Sequence, residues 1–110
     1  MVVDQLRETE LDRLFQALAD STRRDIVRRV TVSGYSVSGL ADLYAMSFAA
    51  VQKHVAVLER ATLVSKEKRG REQIVRGNHE GLEKARRLLD EYEAIWQERV
   101  GRIADILAEG

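Results

Sequence analysis

The sequence predicts a mainly α-helical fold with one small β-hairpin, in the order α-α-(β)-α-α-β-β-α. Three observations carry that prediction. Apolar residues recur at spacings of three and four in several separate stretches. Two short extended runs flank a basic turn that contains Gly70. A closing stretch of nearly thirty residues keeps a single apolar seam. With 110 residues, one domain spanning residues 1–110 is expected. A content of 45% hydrophobic and 33% charged residues describes a globular chain rather than a disordered one.

The first helix is expected from about Glu8 to Ala19, because Leu11, Leu14, Phe15 and Leu18 fall at i, i+3, i+4 and i+7. Asp20-Ser21-Thr22 offers capping side chains for a second helix, Arg23–Val30, with Ile26, Val27 and Val30 inward. Thr31-Val32-Ser33-Gly34 breaks the pattern, and Tyr35-Ser36-Val37 reads as one short strand. Ser38 is the expected cap of a brief third helix holding Leu40, Ala41 and Leu43, and Ala45-Met46-Ser47 is a tight connection with Ser47 as the next cap.

A fourth helix is expected from Phe48 to about Ala61. At about 100° per residue, Val51, Val55 and Leu58 form its buried stripe, while Ala49, Lys53, Ala56 and Arg60 face away with Gln52 alongside. Leu63–Lys68 and Gln73–Arg76 are the extended runs of the hairpin, whose glycine supplies a permissive tip. Asn78 caps a last helix from about Glu80 to Ala108. Its seam comprises Leu82, Ala85, Leu89, Tyr92, Trp96, Ile103 and Ile106, widened by Leu88, Ile95, Val100 and Leu107. A helix of that length, ~40 Å by its rise, cannot bury its whole seam against so small a body. Packing against a partner helix is the expected use, with self-association its simplest form.

The charge balance is neutral, 18 basic against 18 acidic residues, but uneven along the chain. Residues 1–20 and 79–110 each carry a net −3, and residues 21–62 and 63–78 each carry a net +3. A basic middle between acidic ends suits an anion-facing centre. The absence of cysteine excludes disulfides, thiolate metal sites and thiol catalysis. No phosphate-binding glycine loop, nucleophile elbow or HExxH pair occurs, and two histidines 25 residues apart, His54 and His79, make a poor metal site. An enzyme is not expected. No apolar run approaches the ~18 residues that cross a bilayer, and the N-terminal MVVDQLRETE does not resemble a signal peptide, so a cytoplasmic protein without membrane attachment is expected.

A short helix, a tight turn, a second helix and a basic hairpin make the winged helix-turn-helix arrangement, whose second helix enters the major groove. The runs FQALADSTRRDIVRRV (Phe15–Val30), SVSGLADLYAMSFAAVQKHVAVLERATLV (Ser36–Val64) and KRGREQIVR (Lys68–Arg76) resemble the ArsR family of bacterial transcriptional regulators. The resemblance implies a cytoplasmic homodimer, built from the first and last helices, that binds double-stranded operator DNA and represses transcription. Ser36-Val37-Ser38 stands where the family's metal sensors carry Cys-x-Cys, and no histidine follows His79. The chain therefore resembles the metal-independent, cysteine-free branch, whose last helix often contains a Tyr and a Trp like Tyr92 and Trp96, and no metal or cofactor is expected. Ser21 and Ala49 replace prolines common in relatives, and Thr62 replaces a glycine, which implies a slightly strained exit from the fourth helix.

On this resemblance Ser47, Ala49, Gln52, Lys53 and His54 are the expected DNA contacts of the recognition helix, and Lys66, Lys68, Arg69 and Arg71 those of the wing. Gln52 and Lys53 suit base edges; Ser47 and His54 suit phosphates. Arg23 and Arg24 are candidate helpers at a helix start. Leu11, Leu14, Leu89, Tyr92, Trp96 and Ile103 are expected at the dimer interface. Two alternatives stay open at this point: a protein-interaction module on a winged-helix scaffold that no longer binds DNA, and regulation by a small apolar ligand from a pocket beside Trp96.

Overall fold

The computed structural model describes residues 5–109. The signal-peptide expectation rests in part on residues 1–4, which lie outside the described residues. Helices α1 (Gln5–Leu18) and α2 (Ser21–Val32) lead into a two-residue strand β1 (Tyr35–Ser36), then α3 (Val37–Tyr44), α4 (Phe48–Arg60), the hairpin β2 (Val64–Arg69) and β3 (Glu72–Gly77), and α5 (His79–Glu109). The three strands form one antiparallel sheet in the order β1-β3-β2, with Tyr35 opposite Val75 and Arg69 opposite Glu72. Gly70, at φ +60°, opens the two-residue turn between Arg69 and Glu72, the position that glycine fills in a type II′ hairpin. Among the described residues no helix is long and apolar enough to cross a membrane.

Local chemistry sets most element boundaries. Asp20 caps α2 by accepting from the amides of Thr22 (2.9 Å) and Arg23 (3.4 Å). Burial pushes the Asp20 carboxyl up, but those two amides, with the positive charge beside them, outweigh it and hold it below the usual carboxylate range. Helix α2 continues through Thr31 and Val32, where the pattern predicted a break. The Thr31 hydroxyl donates to the Val27 carbonyl at 2.6 Å and the Ser33 amide to Arg29, so the last turn closes without burying Val32. The cap of α3 is Ser36 rather than Ser38: its Oγ accepts from the Gly39 amide at 2.9 Å. Val37 is buried, and to reach the core it must sit in the first turn, which moves the cap back by two residues. Of the apolar residues on α3, Leu43 is exposed, and Val37 is buried beside Leu40 and Ala41. On α1, Phe15 is likewise exposed, and Ala17 is the residue fully buried among Leu11, Leu14 and Leu18.

The core is one cluster. Val51, Val55 and Leu58 of α4 are fully buried against Ile26 and Val30 of α2, Leu40 of α3, Leu63 and Val64 at the start of the wing, Val75 of β3 and Leu88 of α5. Burying each such aliphatic side chain contributes about 1.5–3 kcal/mol. Helix α5 meets this core only through its first third. From Leu89 to Glu109 every residue is exposed, which accounts for overall dimensions of 67 × 31 × 20 Å.

Both helices of the helix-turn-helix end in the same device. The Ala45 amide bonds to Asp42 and the Met46 amide to Ala41; after α4 the Thr62 amide bonds to Glu59 and the Leu63 amide to Leu58. These are paired C-terminal bonds around a left-handed residue, a position where glycine is usual. Here it is Ala45 at φ 52° and Thr62 at φ 59°. The expected strain at Thr62 is thus present. Thr62 also presses on α5: a Cβ added to Gly81 would lie 1.6 Å from the Thr62 carbonyl oxygen, so the helix backbone can pack there only as glycine. Gly101, on the projecting part of the same helix, has open space instead. Gly81→Ala should therefore destabilise the fold by ~3 kcal/mol through overpacking, whereas Gly101→Ala should stabilise it by about 1 kcal/mol through helix propensity. Urea unfolding of the two variants checks the opposite signs.

Candidate nucleic-acid interface

The turn into α4 is held by a polar cluster on α2 and α3. The Tyr44 hydroxyl donates to Asp25 Oδ2 at 2.5 Å, and Arg29 Nε donates to the same oxygen at 2.8 Å. The Arg29 guanidinium lies 6.0 Å from the Tyr44 ring centroid, within cation–π range. Tyr44 and Arg29, donating to it, hold the Asp25 carboxyl below its ordinary range. Burial, then the Asp25 bond and charge, push the Tyr44 phenol up to about 12. Tyr44 is the residue immediately before Ala45, so this cluster fixes the end of α3 and with it the angle at which α4 leaves.

Helix α4 divides its surface as its periodicity predicts. Val51, Val55 and Leu58 are dry; Ala49, Lys53 and Arg60 are exposed, while Ala56, expected with them, is half-buried. Ser47 Oγ caps α4 by accepting from the Ala50 amide at 3.1 Å, and its own O–H remains a donor for a phosphate oxygen. Lys53 has no ion pair among the described residues. Gln52 leans toward the wing, its Nε2 donating to Gln73 Oε1 at 3.4 Å. His54 turns the other way, toward α2, its Nδ1 lying 3.4 Å from Arg23 Nη1. A guanidinium can only donate, so this contact requires an unprotonated Nδ1.

The wing residues separate into held and open groups. Lys66 is only 24% exposed and lies 3.6 Å from Glu59 of α4, so it braces the wing against the helix. Arg69 lies 3.8 Å from Glu67 on its own strand. Lys68 and Arg71 are exposed with no ion pair among the described residues. Arg23 and Arg24, candidate helpers, are engaged elsewhere. Arg23 donates to the carbonyls of Ala17 (2.8 Å) and Gln16 (2.9 Å), and Arg24 to that of Leu18 (2.7 Å). They satisfy the open carbonyls at the end of α1, which has no basic residue in its own last turn.

The six residues expected at the dimer interface are not alike. Leu14 belongs to the core and Leu11 packs half-buried against it. Leu89, Tyr92, Trp96 and Ile103 stand open on α5, Trp96 at 62% exposure. Ile95, Val100, Ile106 and Leu107 are open along the same helix, and Phe15 is open on α1. Sequence periodicity assigns Phe15 to the core because it completes an i, i+4 pair with Leu11.

Comparison with known proteins agrees with this geometry. No family model matches the chain. The HTH-type transcriptional regulator Rv2034 of Mycobacterium tuberculosis is 38% identical over 81 residues, covering 74% of this chain and 76% of that protein. The ArsR-like transcriptional regulator from Rhodococcus sp. RHA1 superposes with a TM-score of 0.79 at 31% identity, over 98% of this chain and 99% of that one. The chain belongs to the ArsR family of transcriptional regulators. The fold is also that of the homodimeric winged helix-turn-helix DNA-binding domain of Mb0332 from Mycobacterium bovis, with a TM-score of 0.67 at 20% identity over 89% of this chain and 90% of that one. In the winged helix-turn-helix fold of this ArsR protein, α3 and α4 are the helix-turn-helix and β2–β3 the wing. In this ArsR protein Ser36 serves as a helix cap.

The Tyr44 cluster has a pH signature. The folded chain keeps the Tyr44 proton up to about 12, whereas an unfolded chain releases it near ~10. The folded state therefore binds more protons in that window, so its stability falls as pH rises through it. Tyr44→Phe lacks the proton and should show a flatter alkaline limb when urea midpoints are followed from about pH 9.5 to 12. Equal slopes in both proteins would detach Tyr44 from Asp25.

Proposed function

We propose that this ArsR-family protein is a cytoplasmic homodimeric repressor, acting as a single folded unit per protomer, that places α4 in the major groove of a near-palindromic operator. The observation that carries the DNA reading is the division of α4: three dry aliphatic residues on one side, and Ala49, Lys53 and Arg60 exposed on the other. Small residues let the backbone approach base edges, and Lys53 can then read them. Ser47 suits a phosphate beside the helix, whereas His54 is turned toward Arg23. In the wing, Lys68 and Arg71 are the open cations for the backbone, with Arg69 beside them and Lys66 acting as a brace.

Self-association is supported by the eight large apolar side chains open along α5 from Leu89 to Leu107, a surface that single soluble domains rarely leave uncovered, and by the homodimeric state of the Mb0332 domain. Leu89, Tyr92, Trp96 and Ile103 form the centre of the contact, with Leu11 and Leu14 supporting it from α1. Two-fold symmetry then sets half-sites about one helical turn, ~34 Å, apart, and doubles the basic middle of each chain. The acidic ends lie on the helices used for pairing, so the neutral total does not oppose DNA binding.

A gel shift with duplex from upstream of its own gene, at two salt concentrations, tests the reading; no retarded species at low salt would favour an interaction module instead. Lys53→Ala should weaken operator binding by about 1–3 kcal/mol while changing affinity for unrelated duplex much less; an equal loss on both would demote it to a phosphate contact. Combining Trp96→Glu with Ile103→Glu should convert the dimer to a monomer in sedimentation velocity with helix content retained, and cost operator binding with it. Retained dimer would move the interface off the α5 seam.

A further inference from the structure

Most arginines in this chain are paired with a carboxylate, and two that are not face one cleft. Arg13 of α1 and Arg60 in the last turn of α4 are exposed and make no ion pair among the described residues. Together with Gln16, Arg23 and Val57 they line a cleft of about 440 Å³ between α1, α2 and α4. The third guanidinium is immobilised: Arg23 donates to the carbonyls of Ala17 and Gln16 and lies 3.8 Å from Asp20. Glu10 lines a neighbouring cavity with Arg13 and Arg60 but makes no salt bridge to either. Asp20, the carboxylate paired with Arg23, is also taken up by the α2 amides. Two guanidiniums without an ion pair thus line one space, beside a third that is held in place by its contacts to Ala17, Gln16, His54 and Asp20.

The cleft has a definite place around α4. Setting Val51 at 0° and stepping by about 100° per residue, Gln52 and Glu59, which touch the wing, lie near 100° and 80°. The exposed residues Ala49, Lys53 and Arg60 lie near 160–200°, and Val57, at the cleft, near 240°. The wing and the cleft therefore flank the same outward face from opposite sides. A helix in a major groove ~12 Å wide has a phosphate strand along each side. With the wing along one strand, the cleft would face the other.

We infer that the Arg13–Arg23–Arg60 cleft is a second phosphate site, occupied by a DNA backbone phosphate on the side of α4 opposite the wing. Arginine forks suit phosphate oxygens in pairs, and the Gln16 amide adds a neutral donor. This rests on the reading of α4 as the recognition helix and extends its contacts to α1. Neither Arg13 nor Gln16 reads sequence in this position, so their part is to hold the dimer on the duplex.

The test is the salt dependence of binding. Affinities of the intact protein, Arg13→Ala, Arg60→Ala and the double variant are measured by fluorescence anisotropy on the upstream duplex and on an unrelated one, across a salt series. The expected result for the double variant is a shallower slope of log K against log salt, by about 0.9 for each phosphate that is no longer neutralised, the same on both duplexes. Arg13→Lys with Arg60→Lys should recover most of the slope. Both positions are exposed, and thermal melts verify that the variants fold. An intact protein that binds DNA while the double variant keeps its slope overturns this site alone. An intact protein that binds neither duplex overturns the recognition-helix reading together with it. An unchanged slope accompanied by inorganic phosphate raising the melting temperature of the intact protein, but not of the double variant, would assign the cleft to a free anion and overturn the DNA assignment.

Discussion

Three side chains that must stay dry govern the arrangement of everything else. Val51, Val55 and Leu58 occupy one stripe of a thirteen-residue helix, and each is fully buried. A helix pinned along one stripe has no freedom to rotate, because turning it by one residue would bring a charged or polar position into the core at a cost of several kcal/mol. Lys53 and Arg60 are therefore forced outward, Gln52 and Glu59 are forced toward the wing, and His54 and Val57 toward α1 and α2. The chemistry of the outward face follows from the hydrophobic content of the inward one.

The ends of that helix are equally constrained. At its entrance the Tyr44–Asp25–Arg29 cluster ties α3 to α2 and fixes the turn. At its exit Thr62, in the left-handed conformation, sets its carbonyl against the backbone of α5 at Gly81. Left-handed backbone is costly for a β-branched residue, so surrounding contacts must hold it, and Gly81 is one of those contacts. The joint makes the direction of α5 a function of the direction of α4. In a dimer formed along α5, the separation of the two outward faces would then be set at Thr62–Gly81 rather than by a flexible connection.

Much of this was legible in the sequence, and the parts that were not have identifiable reasons. Periodicity gave the dry stripe of α4, the hairpin with Gly70 at its tip, and the caps Ser47, Asn78 and Asp20, because each depends on residues close in sequence. The same approach placed Phe15 inward, since spacing alone does not say where a core runs out of volume; Ala17 fills that place. It put the α3 cap at Ser38, where two serines two residues apart offered equal local chemistry and only the burial of Val37 decides for Ser36. It offered Arg23 and Arg24 as helpers at a helix start, because the carbonyls they satisfy belong to the preceding helix and are reached only after the chain turns. The pairing of β1 with β3 was invisible for the same reason: Tyr35 and Val75 are forty residues apart.

The site residues show this limit most clearly in their charges. Counting bases in residues 21–78 gives a net positive centre, but the count treats every cation as equal. In the fold, Lys66 is held by Glu59, Arg29 by Asp25, and Arg76 and Arg69 share Glu67. A cation already paired gains less from a phosphate than an unpaired one, because the existing contact must be given up first. Lys53, Lys68, Arg71, Arg13 and Arg60 have no such contact among the described residues, and they lie on α4, the wing and α1. Arg13 sits in the N-terminal stretch whose net charge is −3, so a regional tally assigns it to an acidic end while the fold brings it beside α4. What distinguishes a binding cation from a structural one is thus the partner it lacks, and that is a property of three-dimensional neighbours rather than of sequence neighbours.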